Sequence, residues 1–330
     1  MADVDAGGRM TDLLVVGELC VDIIVALDGE LRFGQHEQLV PSTTLTMGSS
    51  SAITACGAAA AGVRTTMVGV VGRDDFGDYI VRELASRGVD TSRIRIDESL
   101  PTGSSTHLTR PDGDRAILTA MGSIGEVRRA DASPDALASA RHLHIGSYFL
   151  QRSLWAEAPA LYADARAAGL TTSLDGNFDP DEEWDRGILS VLVHTDVFFA
   201  NEQELTGIAR TATADDAVES LLDRMPAGAV VVCKLGADGA VAARRDGGAT
   251  VRVHAGVPEL DGRLVDTVGA GDSLAAGFLA GLLSGEPVER ALALGVACGT
   301  ASTRGAGGVG AQPDRTAAEA LADRVDVHPS

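Results

Sequence analysis

Asp266-Thr267-Val268-Gly269-Ala270-Gly271-Asp272-Ser273 opens the apolar helical run Leu274 to Leu283. Gly269 and Gly271, with one methyl side chain between them, allow a tight turn that exposes several N–H groups at the positive end of a helix. That is an anion site by construction. A carboxylate in the same turn is electrostatically misplaced unless it takes a proton from whatever attacks the anion. A hydroxyl deprotonated by Asp272, with the amides of Gly269, Ala270 and Gly271 holding the phosphoryl charge, makes a coherent phosphotransferase site. The same letters also spell a glycine-rich loop with Asp as an ordinary helix cap.

Upstream of the octet, short apolar runs at 13–16, 66–71, 142–147, 170–174, 196–200 and 229–233 have the continuous character of strands buried on both faces. Ala/Leu-rich stretches at about 50–62, 75–88, 153–169 and 213–224, then 270–284 and 287–303, are long enough for helices. This alternation predicts an α/β fold with a mostly parallel sheet covered on both sides. Two stretches, about 26–47 and 101–121, turn polar and β-branched, with Thr43-Thr44-Leu45-Thr46 in the first and Thr106-His107-Leu108-Thr109 before the turn Pro111-Asp112-Gly113-Asp114 in the second. They predict extra strands outside the main sheet, meeting as a small lid over the strand ends. The expected organisation is one domain over 11–325, with 1–10 and 326–330 as flexible tails.

The chain has 330 residues, 45% of them apolar and 22% charged, which places it among globular proteins. Its 47 acidic and 27 basic side chains leave a net charge of −20, unfavourable for a nucleic-acid or membrane-surface partner. No run approaches the roughly 18 apolar residues of a membrane span, and the first ten residues have no export signal, so the cytoplasm is the expected compartment. Cys20, Cys56, Cys233 and Cys298 lack metal or redox spacing and read as buried thiols. His142 and His144 share one strand face without a third ligand nearby, which favours packing over a metal.

The octet, with Ala275-Ala276-Gly277-Phe278 close behind, is similar to the signature of the PfkB, or ribokinase-like, family of carbohydrate kinases, and a P-loop is absent. The resemblance extends from about Leu13 to Ala311. It implies a ribokinase-like three-layer α/β/α fold with a small β-strand lid. The implied activity is ATP-dependent phosphorylation of an alcohol on a small sugar, with Mg2+ as cofactor and Asp272 as base.

On the nucleotide side, Asn201-Glu202-Gln203-Glu204 resembles the family's N-x-x-E element, which would make Glu204 the residue that meets magnesium through water; an N-cap followed by first-turn acids has the same letters. Lys234-Leu235-Gly236-Ala237-Asp238-Gly239 resembles the nucleotide-contacting turn, and Lys234 is the sole lysine in the sequence. Lys234, Gly236, Gly239 and Thr267 are therefore expected at the phosphates. Asp266, with the turn Thr303-Arg304-Gly305-Ala306, resembles the family's enclosure for a monovalent cation, K+. Gly295 stands where relatives carry a polar residue near the adenine.

On the acceptor side, Gly17-Glu18-Leu19-Cys20-Val21-Asp22 resembles the opening element, with Asp22 accepting from sugar hydroxyls. Met47-Gly48-Ser49-Ser50-Ser51-Ala52-Ile53 departs from the family, which has two glycines and then an asparagine; here Gly48 and Ser49 remain candidates for the acceptor and Ile53 replaces the amide. Asp175-Gly176-Asn177 resembles the D-x-N element, followed by Asp179 where many relatives have arginine, which favours a neutral acceptor. Asp75 and Gly77 are expected to shape a loop. A nucleoside kinase with a platform from Phe33, Tyr148 or Phe149, and a non-catalytic sugar or nucleotide sensor, are the alternatives. Exposed lid edges predict a homodimer through the lid.

Overall fold

Along the first strand, Leu14 and Val16 enter one apolar cluster while Leu13 and Val15 enter another. An uninterrupted apolar run is what a strand with both faces covered requires. The computed structural model describes residues 10–112 and 114–329. The expected tail over residues 1–9, Gly113 of the expected turn, and Ser330 lie outside the described residues.

From the N-terminus the elements are β1 (Leu13–Val16), β2 (Cys20–Ala26), β3 (Ser42–Met47), α1 (Ser50–Ala60), β4 (Thr65–Gly72), α2 (Asp75–Ser86) and β5 (Asp90–Asp97). Then come β6 (Gly103–Thr109), β7 (Arg115–Ala120), α3 (Pro134–Ala138), β8 (His142–Ile145), α4 (Ala158–Ala167), β9 (Thr171–Asp175) and α5 (Ile188–Leu192). The remainder holds β10 (Val197–Asn201), α6 (Glu202–Ala209), α7 (Ala214–Leu222), β11 (Val230–Lys234), β12 (Ala240–Asp246) and β13 (Ala249–Ala255). It ends with α8 (Ala270–Leu283), α9 (Val288–Ser302), α10 (Arg315–Ala322) and β14 (Val327–Pro329).

The large sheet has the order β14-β13-β12-β11-β10-β9-β8-β1-β4-β5. From β11 to β5 every pairing is parallel, and β12, β13 and β14 extend it antiparallel. Residues of α3 to α7 join the cluster on one face, and residues of α1, α2, α8 and α9 the cluster on the other. The fold is thus three-layered, and its parallel strands all point their C-terminal ends to one edge, where open α/β sheets hold ligands.

The second sheet has the order β3-β2-β6-β7. It begins at Cys20, earlier than the polar stretch beginning near Ala26 had suggested, because the first residues of β2 are apolar and buried like those of a core strand. The central pairing, β2 with β6, is parallel, and the two outer pairings are antiparallel. The C-terminal reading needs correction: 327–329, expected within a tail, pair with β13 as β14. Three residues carry too little pattern for a strand to be read, and only the open edge of β13 makes one.

Where the parallel strands begin, just before β1, Asp12 accepts two hydrogen bonds from the Arg64 guanidinium, at 2.8 and 2.9 Å, and one from Arg141 at 3.2 Å. The Arg64 bonds, ahead of the opposing effect of burial, hold the Asp12 carboxyl down at about 2. A depressed carboxyl contributes stability above its ordinary value near 3.8, and the contribution fades as pH falls toward about 2. Asp12→Asn is expected to lower the unfolding free energy by about 1–3 kcal/mol near neutral pH. In denaturant titrations the gap between the two proteins should close in acid.

Candidate active site

Gly269 caps α8 with φ 72°, in the left-handed region, and the helix ladder starts with the Ser273 amide donating to its carbonyl at 2.9 Å. The Ala270 amide makes only a long 3.3 Å bond to the Thr267 carbonyl, so the first turn of α8 still presents donors outward. Asp272 lies in that turn and is buried. Burial, and next the charge of Asp175, push its carboxyl up to about 7.

Lys234, at the end of β11, donates to Asp175 at the end of β9 over 2.7 Å, and its ammonium is 4.0 Å from Glu204. Burial opposes its charge, but Asp175 and Glu204 outweigh burial and hold the ammonium protonated. Its stem lies against Gly271, where an added β-carbon would be 3.3 Å from Cδ. The same face of β9 and β8 carries a chain of polar groups that runs inward from the exposed Thr171: His142 bridges Thr171 and Ser173 at 2.7 Å each, and His144 joins Ser173 at 2.8 Å. Burial pushes both imidazoles down to about 3, so they are neutral here, and their bonds to Thr171 and Ser173 tie β8 to β9. All four cysteines are free and buried.

A cavity of about 530 Å³ runs beside this ion pair, and Asn201, Lys234, Gly236, Gly239, Thr267, Ala270 and Gly271 all line it. Val257, Leu264, Leu274 and Val296 give it an apolar end. Gly295 is not at that end: it packs α9 against the Leu274 carbonyl of α8. Glu204 is also absent from the wall. It forms a reciprocal capping box, in which the Asn201 amide and Nδ2 donate to Glu204 at 2.8 and 2.9 Å and the Glu204 amide donates back to Asn201 Oδ1 at 2.9 Å. The letters of N-x-x-E therefore serve the helix end first.

Around the expected acceptor pocket, Asp22 stands over Gly48 so closely that a β-carbon there would fall 2.2 Å from a carboxylate oxygen. The serines are less free than the sequence suggested. Ser49, at φ 75°, caps α1 by accepting from the Ala52 amide at 3.0 Å and donates to the Glu18 carbonyl. Ser50 accepts from Asn177 Nδ2 at 3.1 Å. Ser51, fully buried, donates to Glu18. Asn177 also accepts from the Ser147 amide at 3.0 Å, which ties the ends of β8 and β9 to the head of α1.

Ile53 lies against Gly269 and Gly308, packing behind the amide turn. Asp266 accepts from the Val268 and Gly307 amides, both at 3.0 Å, and lies 3.9 Å from Arg115 of β7, so its carboxylate braces the octet against the 303–308 turn. Loop shaping near residue 75 falls to Asp74 instead, which accepts from Gly77, the Thr102 amide and the Thr102 hydroxyl at 2.9, 2.7 and 2.6 Å, while Asp75 is exposed. Asp179 turns into its own loop, accepting from the Asp181 and Trp184 amides at 3.1 and 2.7 Å. It therefore says nothing about the charge of an acceptor. Tyr148 and Phe149 belong to the core, and Phe33 is 88% exposed on the β2–β3 loop.

Sequence reading missed Glu18, a carboxyl raised by burial and held by Ser51 and by Gln151 Nε2 at 3.0 Å. The available signal was an acid directly after a buried strand.

The chain matches the pfkB family carbohydrate kinase description over residues 10–315. It is 34% identical over 319 residues to an ATP-dependent ribose-1-phosphate kinase of Halopiger xanaduensis, covering 96% of this chain and 100% of that enzyme. It is 31% identical over 301 residues to a 2-dehydro-3-deoxygluconokinase of Bacillus subtilis, covering 86% and 87%. Among solved structures, Arabidopsis thaliana ribokinase complexed with ribose and ATP has the same fold, with a TM-score of 0.80 at 23% identity and coverage of 94% and 98%. Of the octet, Thr267, Ala270 and Gly271 line the cavity, while Gly269 and Asp272 lie behind that wall; with a match across nearly the whole described chain, this protein belongs to the pfkB family of carbohydrate kinases.

Proposed function

We propose that this protein transfers the γ-phosphate of ATP to a hydroxyl of a small sugar. The single observation that carries the reading is the place of Asp272, a buried carboxyl in the first turn of α8 directly after Ala270 and Gly271, which line the cavity; burial there pushes it up to about 7. A carboxyl with that affinity is matched to accept a hydroxyl proton near neutral pH.

In this reading Asp22 and Asn177 orient the acceptor, and Gly48 lets it approach the backbone. Asp175 holds Lys234 in place, and Ser49, with its hydroxyl largely committed to the helix cap, shapes the turn. Asp272 takes the proton of the attacking hydroxyl, while the amides of Gly269, Ala270 and Gly271 receive charge from the transferring phosphoryl group. Lys234, Gly236, Gly239, Thr267 and Asn201 face the triphosphate. Asn201 lines the cavity and could meet the hydration shell of a Mg2+, which when bound would neutralise phosphate charge, whereas Glu204, off the wall and engaged in the capping box, would act by holding Asn201 in place. Potassium, implied by the family resemblance, would have to share Asp266 with Arg115. The lid sheet excludes water, which would otherwise compete as acceptor.

The lid's outer face suggests a second copy as partner. Leu45, Ile23 and Leu118 lie in one row of the register, with Thr106 between Ile23 and Leu118, and Leu45 and Leu118 are 43% and 60% exposed. A largely apolar row of this kind beside open edge strands favours association.

Asp272→Asn is expected to lower turnover by about 10²- to 10⁴-fold in an ADP-release assay while calorimetry finds ATP binding retained. Turnover of the unaltered enzyme should rise between about pH 6 and 8 as Asp272 loses its proton and level off above; a flat profile there would remove Asp272 as the base. Sedimentation should find a dimer that Leu118→Asp converts to monomer, and a monomeric parent at working concentration would discard the lid contact.

A further inference from the structure

Glu18 is a buried acid that the chemistry above does not use. It stands between β1 and β2, and its hydrogen-bond partners Ser51 and Gln151 are neutral. The Ser51 amide donates to Oε1 at 3.3 Å, the Ser51 hydroxyl donates to Oε2, and Gln151 Nε2 donates to Oε2 at 3.0 Å. These partners only donate, which suits an ionised carboxylate, an acceptor at both oxygens. A carboxylate is costly to bury beside neutral groups, so its presence calls for a reason other than packing. Gln151 is equally one-sided. Its Nε2 also donates to the Gly146 carbonyl at 3.3 Å, whereas its Oε1 is buried without a hydrogen-bond partner among the described residues. This amide is held for its donor.

Both partners of Glu18 lead to residues that grip Asn177. Ser51 follows Ser50, which accepts from Asn177 Nδ2 at 3.1 Å, and Gly146, bonded to Gln151, precedes Ser147, whose amide donates to Asn177 Oδ1 at 3.0 Å. The contacts close a circuit, from Glu18 through the head of α1 to Asn177 and back through the end of β8 and Gln151. Each end of the Asn177 carboxamide has a partner in that circuit. The backbone is least relaxed at the same place: Ser49, Ser147 and Asn177 have φ of 75°, 48° and 51°, in the left-handed region. Non-glycine residues stay there where surrounding bonds overdetermine them. Ser49 is tied in by its hydroxyl, which donates to the Glu18 carbonyl. Packing leaves little room for another arrangement, since a β-carbon at Gly17 would fall 2.0 Å from Ser51 Oγ and one at Gly146 would fall 2.8 Å from it.

We propose that Glu18 is a positioning residue: by closing this circuit it fixes the Asn177 carboxamide at one angle toward the acceptor hydroxyl. This rests on the sugar-kinase reading, in which Asn177 orients the acceptor, and adds the group that orients Asn177. A further link runs to the base, because the Asn177 side chain and the Glu18 charge both act on the Asp272 carboxyl. Opening the circuit loosens Asn177 and leaves Lys234, Gly236 and Thr267 on the nucleotide side untouched.

The test compares the full chain with Glu18→Gln, which keeps the length but replaces one accepting oxygen by an N–H donor, and with Ser51→Ala, which removes one arm of the circuit. ADP release is followed with ATP and a panel of pentoses, hexoses and their monophosphates, and parent and variants are crystallised. In Glu18→Gln the KM for the acceptor should rise about tenfold and kcat fall about tenfold, with the KM for ATP unchanged. Ser51→Ala should move the same constants in the same direction by a smaller factor, and it carries the test alone if Glu18→Gln does not fold. The variant crystals should keep the fold and show the Asn177 amide turned or in two orientations. A fall in kcat with both KM values kept is the mark of a merely structural role and overturns the proposal, as does an Asn177 amide that has not moved. A parent that phosphorylates no sugar of the panel sinks the kinase reading, and the Asn177 orientation in the crystals then decides by itself whether Glu18 sets it.

Discussion

The ion pair between Lys234 and Asp175 governs the arrangement of everything around it. One ammonium, buried at the ends of parallel strands, faces Asp175, Glu204 and Asp272, and only its charge makes three carboxyl groups tolerable in so dry a place. The balance is incomplete by design of the site: Asp175 is matched at 2.7 Å, while Asp272, farther from compensation, keeps its proton to about 7. A fully compensated carboxylate would be a poor base and an isolated one would stay protonated. The intermediate position follows from where β9, β11 and α8 end relative to one another.

That position depends in turn on close backbone approach. The lysine stem runs over Gly271, the Asp22 carboxylate lies over Gly48, and Ile53 packs on the turn at Gly269. Each contact brings a chemical group to main chain that no side chain could share. Glu18, Ser51, Gln151 and Asn177 then bind the ends of β1, β8 and β9 to the head of α1 as one hydrogen-bonded unit rather than a set of independent loops. The lid enters the same system from above, through Thr46, His107 and Arg115.

Much of this was legible in the amino-acid order because local chemistry and periodicity carry it. Runs such as Leu13–Val16 and Val230–Lys234 announce strands covered on both faces, and the glycine–alanine–glycine–aspartate turn announces the start of a helix. The polar β-branched stretches announced a lid. Tertiary structure decided what depends on distance between segments far apart in the chain. It turned Glu204 toward a capping box, committed Ser49 and Ser51 to Glu18, sent Asp179 into its own loop and Gly295 into a helix contact, and made a strand of 327–329 by offering an open edge. A residue's type limits which bonds it can make. Which of them it makes depends on which partners arrive within about 3 Å, and that is a property of the packed molecule alone.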